Sequence, residues 1–205
     1  MGNIQDIICQ ENSCFDNNYE FDWISDKSWF IDYYIYNLRI KNPYIIEKGI
    51  FKITNQYSCQ YYLNKPLQNN YKMDNLSMKI KFMYNLKQSN VNFILFLSNE
   101  KIEKIFQEVN KDICKVNTIT KYPFMISKIN FNNNKVTLRD KEMSSQTFDY
   151  NIVFNFEYLD HIIVHEQFLD HQKKHIFDIS KDNLHLNIFI ESDIKDNNSF
   201  FNFKI

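Results

Sequence analysis

Apolar and polar positions alternate along most of this chain. In Leu76 to Leu86, the residues Leu76, Met78, Ile80, Phe82, Tyr84 and Leu86 fall on one side, while Ser77, Lys79, Lys81 and Asn85 fall on the other. A period of two is the signature of a strand with one buried and one solvated face. The same rhythm runs through Tyr150 to Tyr158, Leu184 to Ile190 and Phe201 to Ile205. Shorter segments predict further strands near Trp29 to Tyr36, Ile50 to Thr54, Ser58 to Leu63, Val91 to Leu97, Phe124 to Phe131, Lys135 to Arg139, His161 to Glu166 and His175 to Ile179. About a dozen strands in one domain predict two packed sheets or a barrel.

One segment changes period. Between Asn99 and Val116, Ile102, Ile105, Phe106, Val109 and Ile113 recur at spacings of three and four, with Ser98 or Asn99 in place as an N-cap. This predicts one amphipathic helix of about four turns over 99–116, laid across a sheet edge or one end of the sandwich. Turns are marked by asparagine, the side chain that best tolerates a left-handed backbone after glycine. Asn17-Asn18, Asn69-Asn70, Asn132-Asn133-Asn134 and Asn197-Asn198 all lie between apolar runs, and the triplet predicts a hairpin. Residues 21–205 read as a single β-sandwich domain and residues 1–20 as a tail or edge segment.

Composition narrows the chemistry. The chain has 28 Asn, 28 Ile and no Ala, a bias towards residues with AT-rich codons, and its only glycines are Gly2 and Gly49. Backbone that wraps a phosphate needs glycine where no side chain fits, so a P-loop, a dinucleotide fingerprint and a G-x-S-x-G elbow are excluded. The net charge of −1 and the scattered lysines argue against nucleic acid as a partner. No apolar stretch is long and uncharged enough for a transmembrane helix. Up to Asp26 there is no Lys or Arg, whereas Asp6, Glu11, Asp16, Glu20, Asp22 and Asp26 are acidic. That fits neither a secretory signal nor a transit peptide, so a cytoplasmic location is expected, with cysteines 9, 14, 59 and 114 as reduced thiols. Met1-Gly2-Asn3 offers Gly2 for myristate and Cys9 for a second acyl chain, although Asp6 stands where Ser or Thr is preferred.

The run Ser77-Met-Lys-Ile-Lys-Phe-Met-Tyr, then Asn92-Phe-Ile-Leu-Phe-Leu-Ser, the hairpin around Asn132, Phe148 to Tyr158 and a closing pair ending at Phe203-Lys204-Ile205 resemble, in element order, the concanavalin A-like jelly-roll superfamily. The resemblance covers about residues 25 to 205, as a strand pattern rather than as identities. It implies an all-β, antiparallel two-sheet jelly-roll sandwich, of a kind that includes lectins and glucanases. The family's hydrolases carry carboxylates in the form E-x-D-x-x-E. Glu191-Ser192-Asp193-Ile194-Lys195-Asp196 comes nearest, with Asp in the last place, and its position near the C-terminus predicts a solvated acidic turn. No lectin calcium site is reproduced, no catalytic residue is assigned, and no cofactor is expected.

All five histidines fall between His161 and His185, which makes His161, His165, His171 and His175 the candidate metal ligands, with Asp160, Glu166 and Asp170 nearby. On a helix H-x₃-H would put two imidazoles on one metal; along a strand His161 and His165 lie about 13 Å apart, so co-ligation within that strand is impossible. The competing expectation is surface histidines beside a polar loop from Asp170 to Lys174, with His185 on a solvated side with Asn187 and Glu191. Trp23, Trp29 and Tyr33 lie in an aromatic-rich segment and are candidates for stacking on sugar, against core packing as the commoner use.

Three readings follow. The first is a non-catalytic sandwich that binds other proteins of a larger cytosolic or cytoskeletal assembly, which predicts an exposed apolar patch of several hundred Å². The second is a glycan-binding, lectin-like module or a degenerate glycoside hydrolase. The third is a membrane-associated adaptor acylated at Gly2 and Cys9.

Overall fold

In the computed structural model, the structure describes residues 30–35, 44–53, 58–67, 75–99, 124–138, 141–156, 161–180 and 182–205. Fourteen strands appear in this part of the chain. In order they are β1 (Phe30–Ile35), β2 (Tyr44–Glu47), β3 (Ile50–Ile53), β4 (Ser58–Pro66), β5 (Asn75–Asn85), β6 (Asn90–Ser98) and β7 (Met125–Asn132). There follow β8 (Lys135–Leu138), β9 (Lys141–Met143), β10 (Thr147–Asn155), β11 (Ile162–Phe168), β12 (His171–Phe177), β13 (His185–Asp193) and β14 (Phe200–Lys204). They pair into two seven-stranded sheets, β1-β4-β13-β6-β7-β8-β9 (sheet A) and β12-β11-β10-β5-β14-β3-β2 (sheet B). Every pairing is antiparallel. The result is an all-β, antiparallel two-sheet sandwich, the fold class that the alternation predicts. Apart from Asn99, whose Nδ2 donates to the Ser180 and Asp182 carbonyls, the predicted helix over 99–116 lies outside the described residues, as do the tail over 1–20, and Gly2, Cys9, Trp23 and Trp29.

The alternation of β5 explains how sheet B is built. Leu76, Met78, Ile80, Phe82 and Tyr84 are buried, and Asn75, Ser77, Lys79 and Lys81 are exposed. Phe82 sits at the centre of the inner face, with ring centroids 5.0 Å from Phe93, 5.3 Å from Phe131, 4.9 Å from Phe148 and 5.9 Å from Phe201. Phe93 and Phe131 belong to sheet A and Phe148 and Phe201 to sheet B, so one aromatic cluster joins the two layers.

Hairpins form here mostly without glycine. Lys48-Gly49 and Asn133-Asn134 are two-residue loops in which both residues have positive φ, the backbone that matches strand twist in a hairpin. Asn134 also ties this turn to the other sheet: its Oδ1 accepts from the Leu86 N–H at 2.5 Å, and its Nδ2 donates to Asn85 Oδ1 at 3.3 Å. Leu169, Gln88, Lys48 and Asn183 hold φ between 50° and 54°, where a side chain other than Asn or Asp is strained.

The two sheets differ in one respect that decides where to look for a site. Sheet B turns a solvated face outward, whereas Cys59–Lys65 of β4, Phe93–Ser98 of β6 and 185–190 of β13 are buried on both faces. Uninterrupted burial of adjacent residues means that part of the outer face of sheet A is shielded within the chain. Among the described residues the large exposed apolar side chains are Ile45, Ile46, Leu169 and Ile176, which lie at or beside the opposite edge strands β2 and β12 of sheet B.

Candidate functional site

The outer face of sheet A carries the largest concentration of paired polar side chains among the described residues. Strand alternation puts Cys59, Tyr61 and Leu63 of β4 inward and Ser58, Gln60, Tyr62 and Asn64 outward. On β13, Leu186, Ile188 and Ile190 face inward and His185, Asn187, Phe189, Glu191 and Asp193 outward. The registers align these outward residues in rows across the sheet. Gln60 lies opposite Glu191, Glu191 opposite Asn92, and Asn92 opposite Asn130. Two rows on, Asn64 lies opposite Asn187, with the row of Tyr62 opposite Phe189 in between.

At the covered end, Asn64 Nδ2 donates to Asn187 Oδ1 at 2.6 Å, and Asn187 Nδ2 donates to Ser98 Oγ at 2.9 Å. His185 Nδ1 meets Asn64 Oδ1 at 3.2 Å. The expectation that His185 is solvated with Asn187 is therefore overturned: His185 is 6% and Asn187 0% exposed. The reason is the cover over this half of the sheet, under which each amide needs a protein partner in place of water. Tyr62 and Phe189 form an aromatic bridge, ring centroids 5.0 Å apart, and the Tyr62 hydroxyl donates to Gln60 Oε1 at 2.9 Å.

Beyond Tyr62 the face opens. Ser58, Asn92, Asn130, Glu191 and Asp193 are half-buried and Asn90 is exposed. Glu191 takes both its carboxylate oxygens to amides, from Gln60 Nε2 at 3.5 Å and Asn92 Nδ2 at 3.1 Å. Asp193 accepts from Ser58 Oγ at 2.9 Å and pairs with Lys195 Nζ at 3.5 Å. Glu191 and Asp193 thus stand on a central strand, not in the turn expected from their distance to the C-terminus. The turn begins after Asp193, and the third carboxylate of the pattern, Asp196, lies in it. Ser199 Oγ at 2.5 Å and the Asn198 N–H at 2.8 Å donate to Asp196, and the Ser199 bond is the main cause holding its carboxyl below the usual range.

The histidines are dispersed. His165 lies opposite Lys174 on the outer face of sheet B, where burial first and Lys174 second hold its pKa below the ordinary value. His175 lies opposite Val164 and faces inward, with Nε2 3.2 Å from Glu166 Oε2, the atom that also accepts from the Tyr150 hydroxyl at 3.0 Å. It is not a surface histidine, and Asp170 to Lys174 is not a loop but a hairpin turn running into β12. His171 is exposed at the start of β12, and His161 is half-buried just ahead of β11. Among the described residues no three His, Cys, Asp or Glu side chains converge as a metal would need. Tyr33 sits on edge strand β1 in register with Tyr61. Cys59 is buried and desolvation pushes its thiol up to about 11, so it is a core side chain rather than a nucleophile.

Sequence reasoning passed over Gln60, Asn92, Asn64 and Asn187. The signal was present, since Asn90 and Asn92 alternate with Val91 and Phe93, but in so Asn-rich a chain it does not stand out.

No protein-family model matches the chain, and no curated protein matches it significantly. Solved structures do. The potassium-bound form of the Emp46p carbohydrate recognition domain is 13% identical with a TM-score of 0.46, over 86% of this chain and 87% of that one. The Emp47p carbohydrate recognition domain is 12% identical with a TM-score of 0.38, over 87% and 88%. A prokaryotic beta-1,3-1,4-glucanase (lichenase) from a mouse hindgut metagenome is 11% identical with a TM-score of 0.32, over 90% and 93%.

Proposed function

We propose that this chain is a glycan-binding sandwich and that the open end of the outer face of sheet A is its binding surface. The observation that carries the reading is the half-buried row Glu191, Asn92 and Asn130, three side chains in register across three neighbouring strands, with the buried Gln60 amide bonded behind Glu191. A sugar hydroxyl donates one hydrogen bond and accepts others, so it is matched by carboxylates, which accept, set beside amides, which do both. Placing these groups on the central strands of a rigid sheet fixes their spacing before any ligand arrives, which lowers the ordering cost of binding. Ser58 and Asp193 extend the same chemistry along the open face.

Binding is favoured over hydrolysis by the position of Asp196. A glycosidase needs two carboxyls facing each other across the scissile bond at a fixed separation. Here Glu191 and Asp193 project side by side from one strand, bonded to Gln60, Asn92 and Ser58, instead of facing each other, and the third carboxylate of the pattern is drawn into a turn by Ser199 and Asn198.

The test is retention of the purified protein on a broad panel of immobilised glycans. Wild type should be retained by at least one glycan class, and the double variant Glu191→Ala/Asn92→Ala should bind it at least tenfold more weakly, with unchanged circular dichroism. Lys79→Ala, on the outer face of sheet B, should bind as wild type does. Absence of retention across the panel, or equal retention of the double variant, removes the reading.

A further inference from the structure

A second, separate feature lies at the open edge of the sandwich, where β8 and β9 of sheet A stand over β11 and β12 of sheet B. A cavity of about 200 Å³ opens there, lined among others by Leu138, Lys141, Glu166, Phe168, His171 and Lys173. At about 30 Å³ for each water-sized group, that is room for about six or seven of them.

The sequence places unlike chemistries on the walls by register. Lys141 lies opposite Leu138 across β8 and β9, and Leu138 packs into the core, so Lys141 is on the inner face of sheet A. Lys173 lies opposite Glu166 across β11 and β12, and strand alternation puts Glu166 on the inner face with Val164 and Phe168. Glu166 is 3% exposed, and its Oε2 is bonded to the Tyr150 hydroxyl and His175. The carboxylate is therefore committed to the interior and not to its cross-strand neighbour. Neither Lys141 nor Lys173 makes an ion pair among the described residues. His171 stands beside them at the mouth, also exposed. The floor is apolar: Leu138 and the Phe168 ring, which is held edge-on to Phe148 at 5.3 Å between centroids.

Two uncommitted ammonium groups over an apolar floor define a ligand with one negative end and a short hydrocarbon body. We infer that this crevice is a binding site for a small organic carboxylate, whose charge is held between Lys141 and Lys173 and whose body lies on Leu138 and Phe168. Glu166 closes the back of the site. Bonded by Tyr150 and His175, it excludes a second anionic group and limits the ligand to a single charged end. Lysines on an edge strand also discourage pairing with other chains. That role alone does not call for a cation on the inner face of β9, nor for the cavity between them.

The experiment is a titration of the full chain with sodium butyrate at low ionic strength, followed by amide chemical shifts, with inorganic phosphate and sodium chloride as parallel titrants. The inference expects saturable shifts with butyrate confined to β9, the β11–β12 turn and β12, and weaker binding of phosphate, which cannot use the floor. Lys141→Ala/Lys173→Ala should weaken butyrate at least tenfold; both residues are exposed, so an unchanged thermal midpoint is expected. Phe168→Leu, which keeps the floor apolar, should retain butyrate binding. Butyrate shifts that never saturate, or that match those of chloride, overturn the site. So does equal butyrate affinity in the double variant, including the case where that variant only becomes more prone to associate.

Discussion

The buried amide pair on sheet A gives the sharpest test of how the two-sided sheet is held. Replacing Asn187 with Leu keeps side-chain volume nearly constant but removes the acceptor for Asn64 Nδ2 and the donor to Ser98 Oγ. Asn64 is 5% exposed, so its amide is left in a site that solvent scarcely reaches. Leaving a buried donor unsatisfied costs about 1–3 kcal/mol, and the lost bond to Ser98 about 1 kcal/mol more. The greater burial of apolar surface by Leu returns about 1–2 kcal/mol. The net expectation is a loss of about 2 kcal/mol, or about 4–8 °C in Tm for a chain of this size. The double variant Asn64→Leu/Asn187→Leu removes donor and acceptor together and should lose about 2 kcal/mol less than the sum of the two singles, because the pair then leaves no orphan between its own members even though His185 Nδ1 loses Asn64 Oδ1. Urea unfolding measures both, with the midpoint moving and the slope constant. The coupling energy of the cycle should therefore be about 2 kcal/mol and favourable to the pair of mutations. A single variant within about 0.5 kcal/mol of wild type, or a double variant whose loss equals the sum of the singles, would refute the reasoning.

Other consequences follow from the same structure. Phe82→Ala should cost about 3–5 kcal/mol in urea unfolding, because Phe82 touches aromatic rings of both sheets and the cavity it leaves cannot collapse onto one layer. Leu169→Asn should raise stability by about 0.5–1 kcal/mol, since Leu169 is 46% exposed at φ 52° and gives up little burial to relieve the strain; an unchanged or lower midpoint contradicts this. The folded-state pKa of His165 is depressed, so the unfolded chain binds the proton more tightly. Its share of stability is present above the ordinary histidine value and declines as pH falls through the folded one. Nuclear magnetic resonance should show the His165 ring titrating below about 6.5, and His165→Asn should flatten the fall of stability across that acid range. Cys59, with its thiol pushed up to about 11, should resist iodoacetamide at neutral pH in the folded protein and react once the chain is unfolded in urea.

The parts of the fold that were legible in the sequence are those whose two faces meet different surroundings. β5 is predicted to within a residue because core and water alternate along it. β2 and β9 were missed for the opposite reason: Tyr44–Glu47 is mostly exposed and Lys141–Met143 has no buried residue, so neither edge strand has a hydrophobic period to read. β12 begins four residues before its predicted start, because His171 to Lys174 are all exposed on a strand paired along one side only. Asn133-Asn134 and Asn197-Asn198 do mark turns, whereas Leu169 and Gln88 adopt left-handed φ with no residue type to announce it. At the site the alternation of Asn90 and Asn92, and of Glu191 and Asp193, was visible. What could not be read was the cover over half the sheet, since a strand such as β13 presents the same polar side whether water or protein lies against it.

That cover gives the outer face of sheet A its meaning. An amide buried without a partner costs more than an apolar side chain of the same size, so a core serving stability alone has no use for Asn64, Asn187 and Gln60 on adjacent strands. Their mutual hydrogen bonds limit that cost and leave the polar groups in fixed positions, from which the row continues into the open at Glu191, Asn92 and Asp193. The covered half thus acts as a rigid footing for the exposed half: Tyr62 and Phe189 fill the boundary, and the Tyr62 hydroxyl orients Gln60, which in turn donates to Glu191. A binding surface made this way has its hydrogen-bonding groups oriented in advance. Loss of Tyr62 should then weaken ligand binding at the open end, through Gln60 and Glu191, without Tyr62 itself having to touch the ligand. Tyr62→Phe, which keeps the ring and deletes only the hydroxyl, separates that effect from packing.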